Sequence, residues 1–241
     1  MPERFSSRHP APAWMRPFTE RLSPTIRNLV VAESVLYGIF VMAAGLRDPL
    51  AHHLALGPLF AMGEYWQPAT ALFVHFDLWS FVFDIIGLWF VGATIERDLG
   101  RRRFLLLFFG AGLAANLVIA AFIAVLHVGA GGAGCGDSVL ALFVAMGVAY
   151  GRTPVRVWGR LVLQARILAA ILVGMSVFAL LMQAAWPTLA GTLVAIALAY
   201  FIAGGKVTAI AAFVAGLRGK RRAALGVLEG GRSKRGKKYV N

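Results

Sequence analysis

The sequence predicts an all-α membrane protein with six transmembrane helices and both termini in the cytoplasm. Three observations support this fold class. Hydrophobic residues make up 59% of the 241 residues and charged residues only 15%, whereas a soluble domain carries roughly 25% charged residues. The mean hydropathy is +0.72, and the apolar residues form runs long enough to cross a bilayer. Basic residues flank these runs in an alternating pattern.

The apolar runs define six predicted spans: residues 28–46, 78–95, 104–126, 137–150, 165–183 and 188–205. The fourth run is short for a hydrocarbon core of about 30 Å, so we expect neighbouring helices to bury it. A further apolar run, residues 207–217, is too short to cross. It is expected to lie at the cytoplasmic interface or to extend the sixth helix.

The lysines and arginines fix the predicted orientation. With the N-terminus inside, 23 of the 24 fall on the cytoplasmic side, and only Arg47 lies outside. This asymmetry is typical of a multi-pass protein of a bacterial-type inner membrane. The net charge of +13 therefore reflects topology and attraction to anionic lipid headgroups rather than nucleic-acid binding.

The charge pattern also divides the chain into three parts. Residues 1–27 form a basic cytoplasmic segment without the apolar stretch of a signal peptide. Residues 28–205 form the six-helix membrane domain. Residues 206–241 form a basic cytoplasmic interfacial segment and tail, for which anionic headgroups are the expected partner.

Several stretches carry a family resemblance. Segments 22–31, 65–75 and 129–136 resemble, in turn, the lead into helix one, the start of helix two and the approach to helix four of the rhomboid intramembrane serine proteases. Around the turn from helix two to helix three, five more residues follow the family pattern: Gly92, Glu96, Gly100, Arg103 and Phe104. The resemblance covers residues 22–205 and is most specific between Trp66 and Phe104. It implies the rhomboid-like six-helix bundle.

The same resemblance implies that catalysis is lost. Active rhomboids carry a serine at the start of helix four, a histidine on helix six that accepts its proton, and a histidine–asparagine pair on helix two that stabilises the oxyanion. In this sequence Gly136 stands at the serine position and Thr188 at the position of the helix-six histidine. The histidine–asparagine pair is replaced by Ser80 and Asp84. A carboxylate at position 84 would repel a developing oxyanion. We therefore expect a pseudoprotease that is not an enzyme.

A displaced serine site is the alternative. Ser138 lies two residues beyond the expected serine, which turns it about 200° around the helix. The last two apolar runs contain no histidine, and nothing in the sequence places His127 beside Ser138. The sequence thus disfavours an active intramembrane serine protease.

Two functions remain open for an inactive member. It binds or scaffolds other transmembrane proteins, holding a client in the gap between helices two and five, or it is a structural accessory subunit of a larger inner-membrane complex. Polar residues in the old cavity favour the first function, and their candidate client contacts are Ser80, Asp84, Thr188 and Thr192. The short loops favour the second function.

Individual polar residues have simpler interpretations. Asp84 is expected to be protonated, or hydrogen-bonded to Ser80 and neighbouring helices. Asp137 is expected to cap helix four, and Glu33 to be held at the interface by Arg27 or by a partner.

Histidine and cysteine give no metal signature. One cysteine, Cys135, excludes an internal disulfide. Four histidines share its predicted outer side, but their spacing matches no ligand motif: His52, His53, His75 and His127. No metal and no cofactor are predicted.

Overall fold

The computed structural model describes residues 23–42, 47–158 and 161–204. Within them, helices and strands follow in this order: α1 Pro24–Met42, α2 Arg47–Leu54, α3 Gln67–Thr70, α4 Leu78–Leu99, α5 Arg101–Leu126, α6 Gly136–Ala149, β1 Pro154–Trp158, β2 Leu161–Gln164, α7 Ala165–Met182 and α8 Trp186–Ile202. Two π-helical turns, Leu88–Gly92 and Leu106–Gly110, widen α4 and α5. Residues 1–22 of the predicted N-terminal segment, the run 207–217 and the basic tail lie outside the described residues, and α1 begins at Pro24, before the predicted start of the first span at residue 28.

The apolar helices match the predicted spans in position. By length and composition, α1, α4, α5 and α7 are able to cross a membrane, whereas α6 and α8 are apolar but shorter. A multi-pass helical membrane protein is therefore confirmed, while the count of six spans and the side of each terminus stay predictions. Helices α4 and α5 extend beyond their apolar runs because the flanking polar residues continue the helical hydrogen bonding.

The short helix α6 lies at the centre of the fold. It packs against α4, α5, α7 and α8. Its residues 138–142 and 144–146 are buried, so the expectation that neighbours bury the fourth apolar helix agrees with the structure. A helix of 14 residues spans only about 21 Å at 1.5 Å per residue, which explains why it depends on its neighbours.

Helix α8 packs closely along α5. A side chain on Gly191 would place its Cβ 2.7 Å from the backbone oxygen of Ala115, so only glycine allows the two backbones to approach this closely. Small residues serve the same purpose in many membrane helix pairs. The dense small residues of α5 therefore pack the bundle internally.

Residues 47–76, which precede α4, form a compact element. Its centre is Gln67, which is fully buried. The side-chain amide of Gln67 donates to the carbonyl of His52 and the carboxylate of Glu64, and its oxygen accepts from the Gly57 N–H at 3.0 Å. Asn116 of α5 donates to the Pro68 carbonyl at 2.9 Å and fixes the element to the bundle.

Two backbone contacts hold the glycine-rich loop before α6 against this element. Leu56 and Gly132 form an antiparallel bridge, and the N–H of Gly134 donates to the carbonyl of Ala71 at 2.8 Å. The loop therefore delivers Cys135 to the N-terminal end of α6, close to His75.

The β-hairpin was not predicted. Strands β1 and β2 pair antiparallel, with an irregularity between Arg156 and Trp158. It lies in the connection between the fourth and fifth apolar runs, which contains the basic residues Arg152, Arg156 and Arg160.

Candidate active site

Four side chains capable of chemistry converge at the N-terminal end of α6. Glu33 comes from α1, His75 from the loop before α4, Asp84 from α4, and Cys135 from the position preceding α6. Their exposed fractions are 0%, 2%, 9% and 1%. We refer to these four residues as the buried cluster.

The imidazole of His75 is the centre of the buried cluster. Its Nε2 lies 3.2 Å from Oδ2 of Asp84 and 3.9 Å from Sγ of Cys135. Sγ in turn lies 3.6 Å from the same Oδ2. On the other side of the ring, Nδ1 lies 3.7 Å from Oε2 of Glu33.

Local structure explains how α1 and α4 present their residues. Ile26, Glu33 and Phe40 are seven residues apart and all buried, so they share the inward face of α1. The hydroxyl of Ser23 donates to the carboxylate of Glu96, which joins the start of α1 to the far end of α4. These contacts direct Glu33 into the bundle.

Helix α4 begins with a side-chain cap. Asp77 accepts a hydrogen bond from the Ser80 N–H at 2.8 Å, an arrangement that satisfies one free donor of the first turn. His75 therefore stands just ahead of the helix, and Asp84 follows on its second turn.

Two glycines of the loop before α6 border the buried cluster. Gly134 has a φ of +88°, and a Cβ there would lie 3.5 Å from Nε2 of His75. At Gly136, the position of the family serine, a Cβ would lie 3.8 Å from Oδ1 of Asp84. The expected serine position therefore adjoins the buried cluster, and Gly136 itself is exposed.

Burial and the neighbouring carboxylates shift the pKa of His75 in opposite directions. Burial lowers the pKa of His75, but the hydrogen bond and charge of Asp84, together with the charge of Glu33, raise it, and the net shift is upward. Burial, followed by the nearby charges of Asp84 and Glu33, raises the pKa of the Cys135 thiol well above its usual range. Both pKa shifts are upward, so each group holds its proton more tightly than it does in water.

Ser138 does not belong to the cluster. Its hydroxyl is fully buried and has no hydrogen-bond partner among the described residues. A Cβ on Gly112 of α5 would lie 2.1 Å from Oγ of Ser138, so the side chain points toward α5. His127 is exposed at the C-terminal end of α5. A displaced site at Ser138 has no base beside it.

The predicted client contacts have different surroundings. Asp84 joins the buried cluster, whereas the hydroxyl of Thr192 donates to Oδ1 of Asp137 at 2.8 Å and links α8 to α6. Ser80 is half-buried in the first turn of α4, and Thr188 is half-buried in the first turn of α8. A client-binding role for these four residues stays a prediction.

Two predictions for acidic residues were wrong. Asp137 does not cap α6, because Cys135 occupies the N-cap position and the Asp137 carboxylate reaches Thr192 instead. Glu33 is not an interfacial partner of Arg27, because its helix face points into the bundle toward His75. For Asp84, the observed partners are His75 and Cys135 rather than Ser80.

Sequence reasoning missed the buried cluster as a unit. The spacing of Glu33 from Ile26 and Phe40 was the one available signal for Glu33, since it places an acid on an otherwise apolar inward face. No local pattern joins Cys135 to His75, which precedes it by 60 residues. The cluster combines a thiol, an imidazole and two carboxylates, which are groups used both in hydrolysis and in metal binding.

Comparisons with known proteins agree on one family. The family model described as "Rhomboid domain" matches residues 62–205, which is more than half of the chain. The Rhomboid protease GluP of Bacillus subtilis is 30% identical over 127 residues, covering 51% of this chain and 25% of GluP. YdcA of the same species, whose name also places it among the rhomboid proteases, is 29% identical over 132 residues, covering 52% of this chain and 65% of YdcA. Rhomboid-like protease 2 of Toxoplasma gondii is 33% identical over 84 residues, or 35% of this chain and 29% of that protein. The matches thus span a quarter to two thirds of each relative.

These relatives contradict the expectation that the chain is not an enzyme. They are named as proteases, and the family-level resemblance holds across the region that contains Gly136 and Thr188. The expectation relied on four motif positions alone. Those positions do not account for the thiol and imidazole that the fold brings together next to Gly136.

Proposed function

This chain belongs to the rhomboid family, and from that membership we propose that it hydrolyses peptide bonds in the transmembrane segments of other membrane proteins, in a bacterial-type inner membrane. The buried cluster is the reaction centre in this proposal. The observation that carries it is the position of Cys135 and His75, with Sγ and Nε2 3.9 Å apart, immediately beside the family's serine position.

The chemistry of the cluster supports this role. Amide hydrolysis needs a nucleophile, a group that moves protons, and a means of stabilising the oxyanion. The buried cluster supplies the first two, as the sulfur of Cys135 and the imidazole of His75. Its two carboxylates hold the imidazole and are not groups that stabilise an oxyanion. Ser138 supplies none of these functions, since it faces Gly112 and lacks a base.

Exposed apolar side chains on the helices next to α6 suggest where a substrate helix would bind. Helices α4 and α7 both pack on α6, and each retains large exposed apolar side chains: Trp79, Phe83, Met175 and Phe178. Such side chains suit contact with an apolar helix as well as with lipid. A substrate that unwinds near its end would then bring its backbone to Gly136, the exposed residue beside Asp84.

The test is a cleavage assay in proteoliposomes. The substrate is a single-span reporter with glycine and proline near one end of its transmembrane helix, which weaken that helix. We expect the native chain to release a fragment, Cys135→Ala and His75→Ala each to reduce cleavage at least tenfold, and Ser138→Ala to retain it.

Two results would overturn this proposal. One is the absence of any fragment from the native chain when a known rhomboid protease cleaves the same reporter in parallel. The other is loss of cleavage in Ser138→Ala with full cleavage in Cys135→Ala, which would restore a serine nucleophile. Size-exclusion profiles of each variant establish that the bundle is intact.

A further inference from the structure

We propose that Cys135, His75 and Asp84 bind a divalent transition-metal ion, most suitably Zn²⁺, and that Glu33 positions the imidazole. This inference names the cofactor of the reaction centre described above and rests on the proposed function only for what the ion does. Metal binding itself is inferred from the geometry and can be tested without any substrate.

The separations between the three donor atoms match those between the ligands of a tetrahedral zinc ion. Sγ of Cys135, Nε2 of His75 and Oδ2 of Asp84 are separated by 3.2, 3.6 and 3.9 Å. A tetrahedral zinc ion with bonds of about 2.0–2.3 Å places neighbouring ligand atoms about 3.3–3.6 Å apart. The observed separations bracket that range, so an ion needs little rearrangement to fit.

The three atoms face one another in a buried space. Nε2 of His75 lies opposite both the carboxylate of Asp84 and the sulfur of Cys135, and the Cys135 thiol is placed to donate its proton to the same carboxylate. A metal ion would displace these protons, because it binds the imidazole and the thiol in their deprotonated forms. A sulfur, a nitrogen and an oxygen at these separations suit one shared cation.

A second, independent observation comes from Glu33. Both of its carboxylate oxygens are fully buried and without a hydrogen-bond partner among the described residues. Buried polar groups are almost always satisfied, and a buried carboxylate needs compensating positive charge. One ligand atom each of Glu33, His75 and Cys135 lie within 4.8 Å of one another, so the carboxylate is aimed into the same cluster.

The geometry assigns Glu33 to the imidazole rather than to the ion. Its nearest approach is 3.7 Å to Nδ1 of His75, on the opposite side of the ring from Cys135 and Asp84. Metal-bound histidines commonly donate their second N–H to a carboxylate, which fixes the ring and increases its basicity. Glu33 is therefore a positioning residue.

The donor types define the class of metal. A thiolate, an imidazole and a carboxylate suit Zn²⁺ and its neighbours rather than Mg²⁺ or Ca²⁺, which prefer oxygen ligands. Three protein ligands leave a fourth position open, as in catalytic rather than structural zinc sites. When bound, such an ion would supply a polarised water for hydrolysis.

The experiment uses the full chain, purified in detergent without chelators. Metal content is measured by mass spectrometry after loading with Zn²⁺, and Co²⁺ binding is followed by the thiolate-to-cobalt absorption band. We expect equimolar binding, loss of the band in Cys135→Ser, and weaker binding in Asp84→Asn. Glu33→Gln should retain the band with an affinity about 10–100-fold lower.

Two controls separate this site from adventitious binding. Ser138→Ala should bind as the native chain does, and so should the double variant His52→Ala/His53→Ala, which removes the paired surface histidines. Unfolding temperatures in detergent identify any variant that has lost its fold. A band that survives in Cys135→Ser, or binding that disappears with His52 and His53, would overturn the proposal.

The metal site and the protease can fail separately. Equimolar metal binding without cleavage of any reporter would refute the proposed function and leave the site intact. Cleavage that persists in metal-free protein and in excess chelator would refute the role of the ion in the reaction and leave Cys135 as the nucleophile.

Discussion

Oε2 of Glu33 lies 3.7 Å from Nδ1 of His75, and both side chains are shielded from solvent. The two residues belong to different segments, α1 and the loop before α4, and neither contains a local signal for the other. Their contact turns an acid in an apolar helix and a histidine before a helix into parts of one site.

The contact between Ser138 and α5 predicts a coupling between two substitutions. Gly112→Ala places a methyl group 2.1 Å from Oγ of Ser138 and should destabilise the protein by about 1–3 kcal/mol through overpacking. Ser138→Ala alone should change stability little, because it removes a hydroxyl without a partner. Combined, the two should cost less than their sum, as measured by unfolding in mixed micelles. Strict additivity would contradict the close contact.

The hydrogen bond from Thr192 to Asp137 predicts a stability effect between α8 and α6. Thr192→Val removes the donor 2.8 Å from Oδ1 while preserving side-chain volume. It should lower the free energy of unfolding by about 1–3 kcal/mol, because the carboxylate loses its partner. Thr192→Ser keeps the hydroxyl and is the matched control. Equal stability of the two variants would mean that the bond contributes nothing.

The distribution of basic residues predicts the topology. Reporter fusions after Phe60, Gly100, Ala130, Val157 and Ala185 should report outside, inside, outside, inside and outside in turn. Each site is tested with two reporters that are active on opposite sides of the membrane. A fusion at the C-terminus that reports outside would refute the six-span arrangement.

The basic tail predicts binding to anionic lipid. Residues 206–241 contain ten lysines and arginines and one acid, Glu229, and each basic residue near an anionic surface contributes about 1 kcal/mol. A fluorophore at the C-terminus should approach the surface of nanodiscs with anionic lipid, and salt should weaken this association. Deletion of residues 229–241 removes five of the ten basic residues and should weaken the association without affecting membrane insertion.

The alternative is that the tail binds a protein, and it is tested by purifying the chain that lacks residues 229–241. If a single defined protein co-purifies with the native chain and is lost on deletion, the tail docks a protein, and the lipid interpretation is wrong. Unchanged co-purifying proteins agree with lipid binding.

The sequence could predict the bundle because its signals are local. Each of these signals lies within a stretch of about twenty residues. They are the apolar runs, the one run that is too short to span, and the basic residues at alternate ends of the runs. The same applies to the substituted motif positions, such as Gly136 and Thr188, since a family pattern compares one position at a time. From these signals alone, however, the inference of an inactive protein went too far.

By itself the sequence determined a multi-pass helical membrane protein of the rhomboid type, with α6 buried among longer helices. Only the tertiary structure decided which polar residues meet. Cys135 and Asp84 are 51 residues apart, and they touch because the loop before α6 is tied to Ala71 while α4 packs against α6. Helical periodicity specifies the face on which a residue lies, but the residue it meets across the bundle depends on how whole helices pack.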